Sequence, residues 1–230
     1  MTDTHFAEAE SLERTLRGRF SARAFLPTEV PRATIERILA MAQHTASWNN
    51  TQPWQVIVTS GAATERFRQA LYANAGQQAA PASDLPYPRE YRGASQARRR
   101  ECGFQLYEAV GIQRGDKAGY IRQSMENFRL FGAPHVAIVS SDEPLGAYGA
   151  VDCGAYVGNF MLAAHALGVA TIAQASVTQD AAFVHKYFDL PADRLLVCGI
   201  SFGYADTAHP LNNYRTRRVA LDDVVRFVEA

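Results

Sequence analysis

The chain has 230 residues, 47% of them hydrophobic, enough for one large domain whose core needs no covalent staples. Lys plus Arg and Asp plus Glu both number 23, which excludes a bulk field for nucleic acid or an anionic membrane, so a bound anion requires a local cluster. Cys102, Cys153 and Cys198 are widely spaced, no apolar run reaches the roughly 18 residues of a membrane helix, and Met1-Thr-Asp-Thr-His-Phe6 lacks a basic start, all features expected of a soluble cytoplasmic protein.

Leu12 and Leu16 at helical spacing predict a first helix over 7–18, stopped at Gly18. After Arg19-Phe-Ser-Ala-Arg-Ala-Phe25, Pro31 can open a second helix with Ile35, Ile38, Leu39 and Ala42 as its apolar face. That helix delivers the chain to Thr45-Ala-Ser-Trp-Asn-Asn-Thr-Gln-Pro-Trp54, a loop rich in amides and hydroxyls between two buried elements. Asn50 and Gln52 each offer donors and an acceptor, which suits the edge of a flat polar ring, while Asn and Thr equally serve as turn formers; the residues alone leave both readings open.

A strand follows over 54–59, Gly61 breaks it, and a helix carries Phe67 and Leu71. From 74 to 97 the chain is irregular, with Gly76, Pro81, Pro86 and Pro88 around Tyr87 and Tyr91. Together with the helices that follow to about Phe131, this stretch reads as an excursion covering a site. Arg98-Arg-Arg100, with Glu101 adjoining, reads as a solvated helix face.

Pro134 precedes a second buried strand over 135–139. Residues 147–167 make the clearest helix, with Val151, Val157, Phe160, Met161, Ala164 and Leu167 apolar and Gly168 at the end. Gly154 and Gly158 share one face of it, where another helix can approach closely, across a subunit interface for instance. A third strand over 169–173 leads into Gln174-Ala-Ser-Val177 and a helix ending near Leu190-Pro191, and a fourth strand spans 195–200. An extended basic tail over 208–218 and an amphipathic segment over 221–228 close the chain. Without repeats or a composition break, the chain reads as a single domain, 1–230, with the excursion at 74–131 and a C-terminal arm at 208–230.

Gly199-Ile-Ser-Phe-Gly203 matches the nucleophile elbow of serine hydrolases. However, Tyr204-Ala-Asp-Thr-Ala-His-Pro210 cannot start the required helix, and too little chain remains for the acid and base. The six histidines form no His-Glu-x-x-His or close pair, so no metal centre is expected. Neither a Walker loop nor a Rossmann turn is present, so a nucleotide-like ligand must be held otherwise. Arg19 and Arg23 lie four apart with Ser21 between them, and Arg215 and Arg217 lie two apart in the tail; two such pairs converging would make a bidentate phosphate site.

Taken in order, the chain resembles the nitroreductase family of flavin mononucleotide (FMN) enzymes. Arg19-Phe-Ser-Ala-Arg-Ala-Phe25 is similar to its Arg-x-Ser-x-Arg-x-Phe opening, and Ser47-Trp-Asn-Asn-Thr-Gln-Pro-Trp54 to its Ser-x-x-Asn-x-Gln-Pro-Trp loop. Asn127-Phe-Arg-Leu-Phe-Gly-Ala-Pro134, the helix from Asp152 to Gly168, Gln174-Ala-Ser176 and Tyr214-Arg-Thr-Arg217 follow the same plan. The resemblance implies an α+β fold, a central mixed but mainly antiparallel sheet flanked by helices, in an intertwined homodimer with FMN at the interface.

It also implies that Arg19, Arg215 and Arg217, assisted by Ser21, hold the phosphate, with Arg23 near the pyrimidine edge. Ser47, Trp48 and Asn50 would arrive from the partner subunit, and Gln52 would support their loop. The segment Gln174, Ala175 and Ser176 would bring backbone amides to flavin N5, with no acidic side chain there because Ala175-Ser176 replaces the frequent Glu-Gly. The loop over 74–97 and the aromatics Tyr120, Phe128 and Phe131 are candidates for the pocket wall, and no side chain is needed as a covalent catalyst. The implied reaction carries hydride from NAD(P)H through N5 to a small nitroaromatic or quinone-like acceptor by a ping-pong mechanism. The alternatives are another flavin reaction on the same fold (reductive dehalogenation, enoyl reduction or dehydrogenation) and a non-catalytic flavin-binding protein.

Overall fold

Strand periodicity sets the layering of the computed structural model, which describes residues 3–77 and 81–229. Expectations that fall on 1–2, 78–80 and 230 lie outside the described residues. Strands β1 (Gln55–Thr59), β2 (His135–Asp142), β3 (Ala170–Gln174) and β4 (Arg194–Gly203) form one sheet in the order β1-β2-β4-β3. Every neighbouring pair is antiparallel. The parallel component expected of a mixed sheet is confined, among the described residues, to single bridges at Ser21–Thr171 and Ala82–Asp180.

The helices are α1 (Asp3–Gly18), α2 (Arg32–Ala42), α3 (Ala62–Ala75), α4 (Gly93–Ala109), α5 (Lys117–Met125), α6 (Gly146–Ala166) and α7 (Ala181–Phe188). Successive strand side chains point to opposite faces. Ala137 and Val139 of β2 therefore join Ile35, Ile38 and Phe160 of α2 and α6, whereas Val136 and Ile138 join Phe67, Leu71 and Val184 of α3 and α7. With both faces buried, the strands read as continuous apolar runs, which is why the sequence located all four.

Three differences from expectation have physical causes. First, β4 continues to Gly203, so Ser201 lies within a strand, fully buried, its Oγ donating to Gln174 Oε1 at 2.6 Å. A hydroxyl so placed cannot be a hydrolase nucleophile. Second, α1 begins at Asp3, and its stripe does not reach the core: Leu12 and Leu16 are 56% and 54% exposed. Third, the closing segment forms only a short 3-10 turn at Leu221–Asp223 and leaves Leu221, Val224, Phe227 and Val228 exposed. The pair Gly154 and Gly158 likewise faces open space: among the described residues nothing lies within 4 Å of where their side chains would begin.

His135, at the start of β2, is buried between Phe202 and β1. Its Nε2 accepts from the Val30 amide at 2.9 Å, and its Nδ1 lies 3.2 Å from the Thr59 carbonyl, which fixes a neutral imidazole protonated at Nδ1. Burial first of all lowers its pKa from the ordinary 6.5, against raising contributions from the Thr59 bond and Glu29. Since the unfolded chain takes up this proton and the folded chain resists it, stability is level above about pH 6.5 and falls as pH drops below it. Urea denaturation at pH 7 and pH 5.5 checks this: the midpoint should fall at pH 5.5, and His135→Gln should reduce that pH dependence.

Candidate functional site

The polar loop at 45–54 is rigid in a way its composition does not suggest. Ser47 Oγ accepts from the Gln52 amide at 2.9 Å, Gln52 Oε1 from Gln43 Nε2 at 2.9 Å, and Gln43 Oε1 from the Trp54 indole at 3.0 Å. Asn49, Asn50 and Gln52 all adopt left-handed backbone, with φ of 49°, 58° and 47°. Asn tolerates this conformation and Gln rarely does, so the surrounding bonds must enforce it. Gln52 thus supports the loop, as expected, while Asn50 remains exposed.

Two outside groups fix the loop's ends. Asp152 on α6 accepts from the Trp48 amide at 3.1 Å through Oδ2, and Tyr148 one turn earlier sets its ring edge-on to Trp48 at 4.4 Å. Arg194 at the start of β4 is buried and donates through Nη2 to the carbonyls of Pro53 at 3.0 Å and Ser140 at 2.8 Å. It also pairs with Asp142 and reaches Ser140 Oγ at 3.3 Å. Sequence reading missed Arg194, which carries no motif.

The arginine segment runs beside β3. Ser21 bridges Thr171, the Ala22 amide donates to the Thr171 carbonyl at 3.0 Å, and Arg23 Nη1 reaches Ser21 O at 3.3 Å and the Tyr214 hydroxyl at 3.4 Å. The C-terminal arm is stitched on by Asn212, also missed: its Oδ1 accepts from the Arg23 amide at 2.8 Å, and its Nδ2 donates to the Ala24 and Asp206 carbonyls, each at 2.8 Å. Arg215 consequently stacks over Phe20, its guanidinium carbon 3.8 Å from the ring centroid. Burial, and then the like charge of Arg218, lowers the pKa of Arg19, which places a further, unanticipated cation near it. Arg217 instead pairs with Glu101 of α4 at 2.6 Å.

Arg19, Phe20, His165 and Thr171 line a cleft of about 280 Å³. The Thr171 hydroxyl, in a residue only 1% exposed, has no hydrogen-bond partner among the described residues. An orphaned buried hydroxyl beside an arginine is a place where an anionic or hydroxylated ligand can be satisfied. Further along, Gln174 bonds Ser201 behind it and Asn127 in front, through Nε2 to the backbone carbonyl at 3.0 Å and to Oδ1 at 3.2 Å. Ala173 and Ala175 nevertheless stay exposed, an open apolar step beside the Ser176 backbone that a flat ring can cover.

The three candidate wall aromatics are mostly packed within the chain. Phe128 and Phe131 are each only 7% exposed, part of the molecule's buried interior, and Tyr120 packs on Tyr107 at 4.3 Å while accepting from the Gly115 amide at 2.9 Å. Phe128 and Phe131 therefore support the fold and Tyr120 braces the α4–α5 connection. The segment that does touch the site is Tyr87, whose hydroxyl donates to the Ala175 carbonyl at 2.9 Å.

Comparison with known proteins places this arrangement. A family model described as "Nitroreductase family" matches residues 16–204. The "Nitroreductase NfnB" of Mycolicibacterium smegmatis is 38% identical over 221 residues, covering 95% of this chain and 93% of that protein. A "4-nitrobenzoate reductase" of Nocardioides sp. is 31% identical over 227 residues, 95% of this chain and 90% of that one. The crystal structure of the FMN-dependent nitroreductase NfnB from Mycobacterium smegmatis in complex with NADPH superposes with a TM-score of 0.91 at 37% identity, over 96% of this chain and 99% of that chain.

Proposed function

The chain belongs to the nitroreductase family, and from that premise we propose that it is an FMN-dependent oxidoreductase taking hydride from NADPH and reducing small nitroaromatic acceptors. The observation that carries the reading is the cleft lined by Arg19, Phe20 and Thr171, with Ser21 bridging Thr171 and Arg215 stacked over Phe20, on the strand that leads into the open step Ala173–Ser176. Relatives named as nitroreductase and 4-nitrobenzoate reductase favour a nitro acceptor over the other flavin reactions and over mere flavin storage.

Bound FMN would supply the two-electron redox chemistry between nicotinamide and acceptor. The protein's own residues bind, orient and shield. Arg19, Arg215 and Arg217 with Ser21 would hold the phosphate, Arg23 would lie toward the pyrimidine edge, and the Ala175 and Ser176 backbone would border N5. No side chain is a covalent catalyst. Burial raises the Cys153 thiol to about 11 and the Cys198 thiol to about 12, so neither is a nucleophile at neutral pH.

The site is completed in a homodimer. Tyr148, Val151, Gly154 and Gly158 make an uncovered face on α6, adjoining Trp48, and Phe6, Leu12 and Leu16 make another on α1. A second copy covers these faces and receives Ser47, Trp48 and Asn50 at its flavin. Among the described residues no helix is long and apolar enough to cross a membrane; we place the protein in the cytoplasm, where its unpaired cysteines stay reduced.

Anaerobic NADPH should bleach the flavin of the purified yellow protein, and a nitroaromatic acceptor should restore its absorbance; flavin that stays oxidised under NADPH sinks the reading. The trans contact has its own check. Asp152→Ala frees the Trp48 amide, and losing one partly exposed hydrogen bond to a charged group should weaken FMN binding about threefold, measured by fluorescence titration. Unchanged affinity would detach this loop from the flavin.

A further inference from the structure

The segment expected to face N5 is gripped from behind by a strap at the base of the excursion. The Ala82 amide donates to the Gln179 carbonyl at 2.8 Å, and the Ala181 amide returns a bond to the Ala82 carbonyl at 3.1 Å. Asp84 Oδ2 accepts from His185 Nε2 at 2.9 Å and from the Leu196 amide at 2.8 Å, and Asn74 Nδ2 donates to Asp180 Oδ2 at 2.9 Å. The strap ends in the 2.9 Å bond from the Tyr87 hydroxyl to the Ala175 carbonyl. That carbonyl also accepts from Thr178 Oγ1 at 3.1 Å.

The floor beneath is closed. A Cβ on Gly199 would come within 2.8 Å of the Val177 Cβ, so only glycine lets the turn Ala175–Thr178 lie this close to β4. The Ala175 carbonyl and the Ser176 amide belong to one planar trans peptide and point in opposite directions. Two hydroxyls fixing the oxygen therefore fix where the N–H points, on the face away from the strap.

We propose that Tyr87 is a positioning residue for the flavin reaction: its hydroxyl, with that of Thr178, locks the Ala175–Ser176 peptide so that the Ser176 N–H donates to N5 of oxidised FMN. The inference rests on the flavin reading above. It has a thermodynamic signature, because oxidised N5 carries a lone pair that accepts such a bond whereas reduced N5 carries its own hydrogen and does not. Loosening the peptide therefore weakens binding of oxidised FMN selectively.

The experiment compares wild type, Tyr87→Phe, Thr178→Val and the double variant, measuring dissociation constants for oxidised FMN and for anaerobically reduced FMN. Loss of one neutral hydrogen bond corresponds to about a three- to tenfold weakening for oxidised FMN in Tyr87→Phe, with reduced FMN unchanged. By linkage the two-electron midpoint potential rises, about 30 mV for a full tenfold. Thr178→Val should move the same way by less, and the double variant by more than either. Equal weakening of both redox states in the variants reveals a merely structural strap and overturns the proposal, as does no change in either state. If wild type binds neither form of FMN, the flavin reading itself falls, an outcome distinct from wild-type binding with unresponsive variants.

Discussion

Replacing Arg194 by alanine is expected to lower stability by about 3 kcal/mol and to lower the melting temperature by about 10 °C. Only one of the guanidinium's four partners, Asp142, is solvated; the carbonyls of Pro53 and Ser140 are buried with it. Removing the donor leaves two carbonyls short, each costing about 1–3 kcal/mol, and opens the space the side chain filled. The ion pair itself matters less, since Asp142 is half-exposed. Arg194→Lys tests the geometry: a single ammonium cannot span Pro53, Ser140 and Asp142, so it should recover less than half of the loss. Urea denaturation with an unchanged slope and a lowered midpoint is the expected outcome. A melting temperature within about 2 °C of wild type would mean that water replaces the guanidinium at these carbonyls.

Arg194 also marks the limit of what the sequence could tell. The strands were legible because burial on both faces leaves uninterrupted apolar runs, and the arginine segment, polar loop and tail were legible because their residue types match a ligand's chemistry. What holds those pieces was not legible. Arg194 reaches Pro53 across 141 residues, Asn212 reaches Ala24 across 188, and Tyr87 reaches Ala175 across 88, each bonding a backbone carbonyl. A carbonyl is present at every position, so no spacing announces such a contact. Phe128 was ambiguous for a related reason: a phenyl ring serves a core and a pocket wall equally well, and only the structure shows it in a cluster with Leu130 and β2. The stripe of Leu12 and Leu16 was read correctly as apolar, but the structure leaves both residues exposed.

Arg19→Ala should weaken FMN binding about 100-fold, at the upper end of the 1.5–3 kcal/mol lost with a hydrogen bond to a charged group. Arg19 sits half-buried with the like charge of Arg218 near it, a pairing that disfavours its charged form in the flavin-free protein. A phosphate dianion relieves that repulsion and satisfies the guanidinium at once, so this arginine gains more on binding than an exposed one. Arg217 differs because it already holds Glu101 at 2.6 Å. On the proposed site the phosphate would have to displace that carboxylate, so the net gain would be the difference between two charge-assisted pairs. Arg217→Ala should therefore cost only about tenfold, and Glu101→Gln should tighten FMN binding about two- to threefold by releasing Arg217 beforehand. Raising ionic strength should narrow the Glu101→Gln effect, because that pair is exposed and screened. Fluorescence titration of FMN into the three variants decides the ordering. If Arg217→Ala loses as much affinity as Arg19→Ala while Glu101→Gln is silent, the carboxylate does not compete with the phosphate, and the arm must already hold Arg217 free in the dimer.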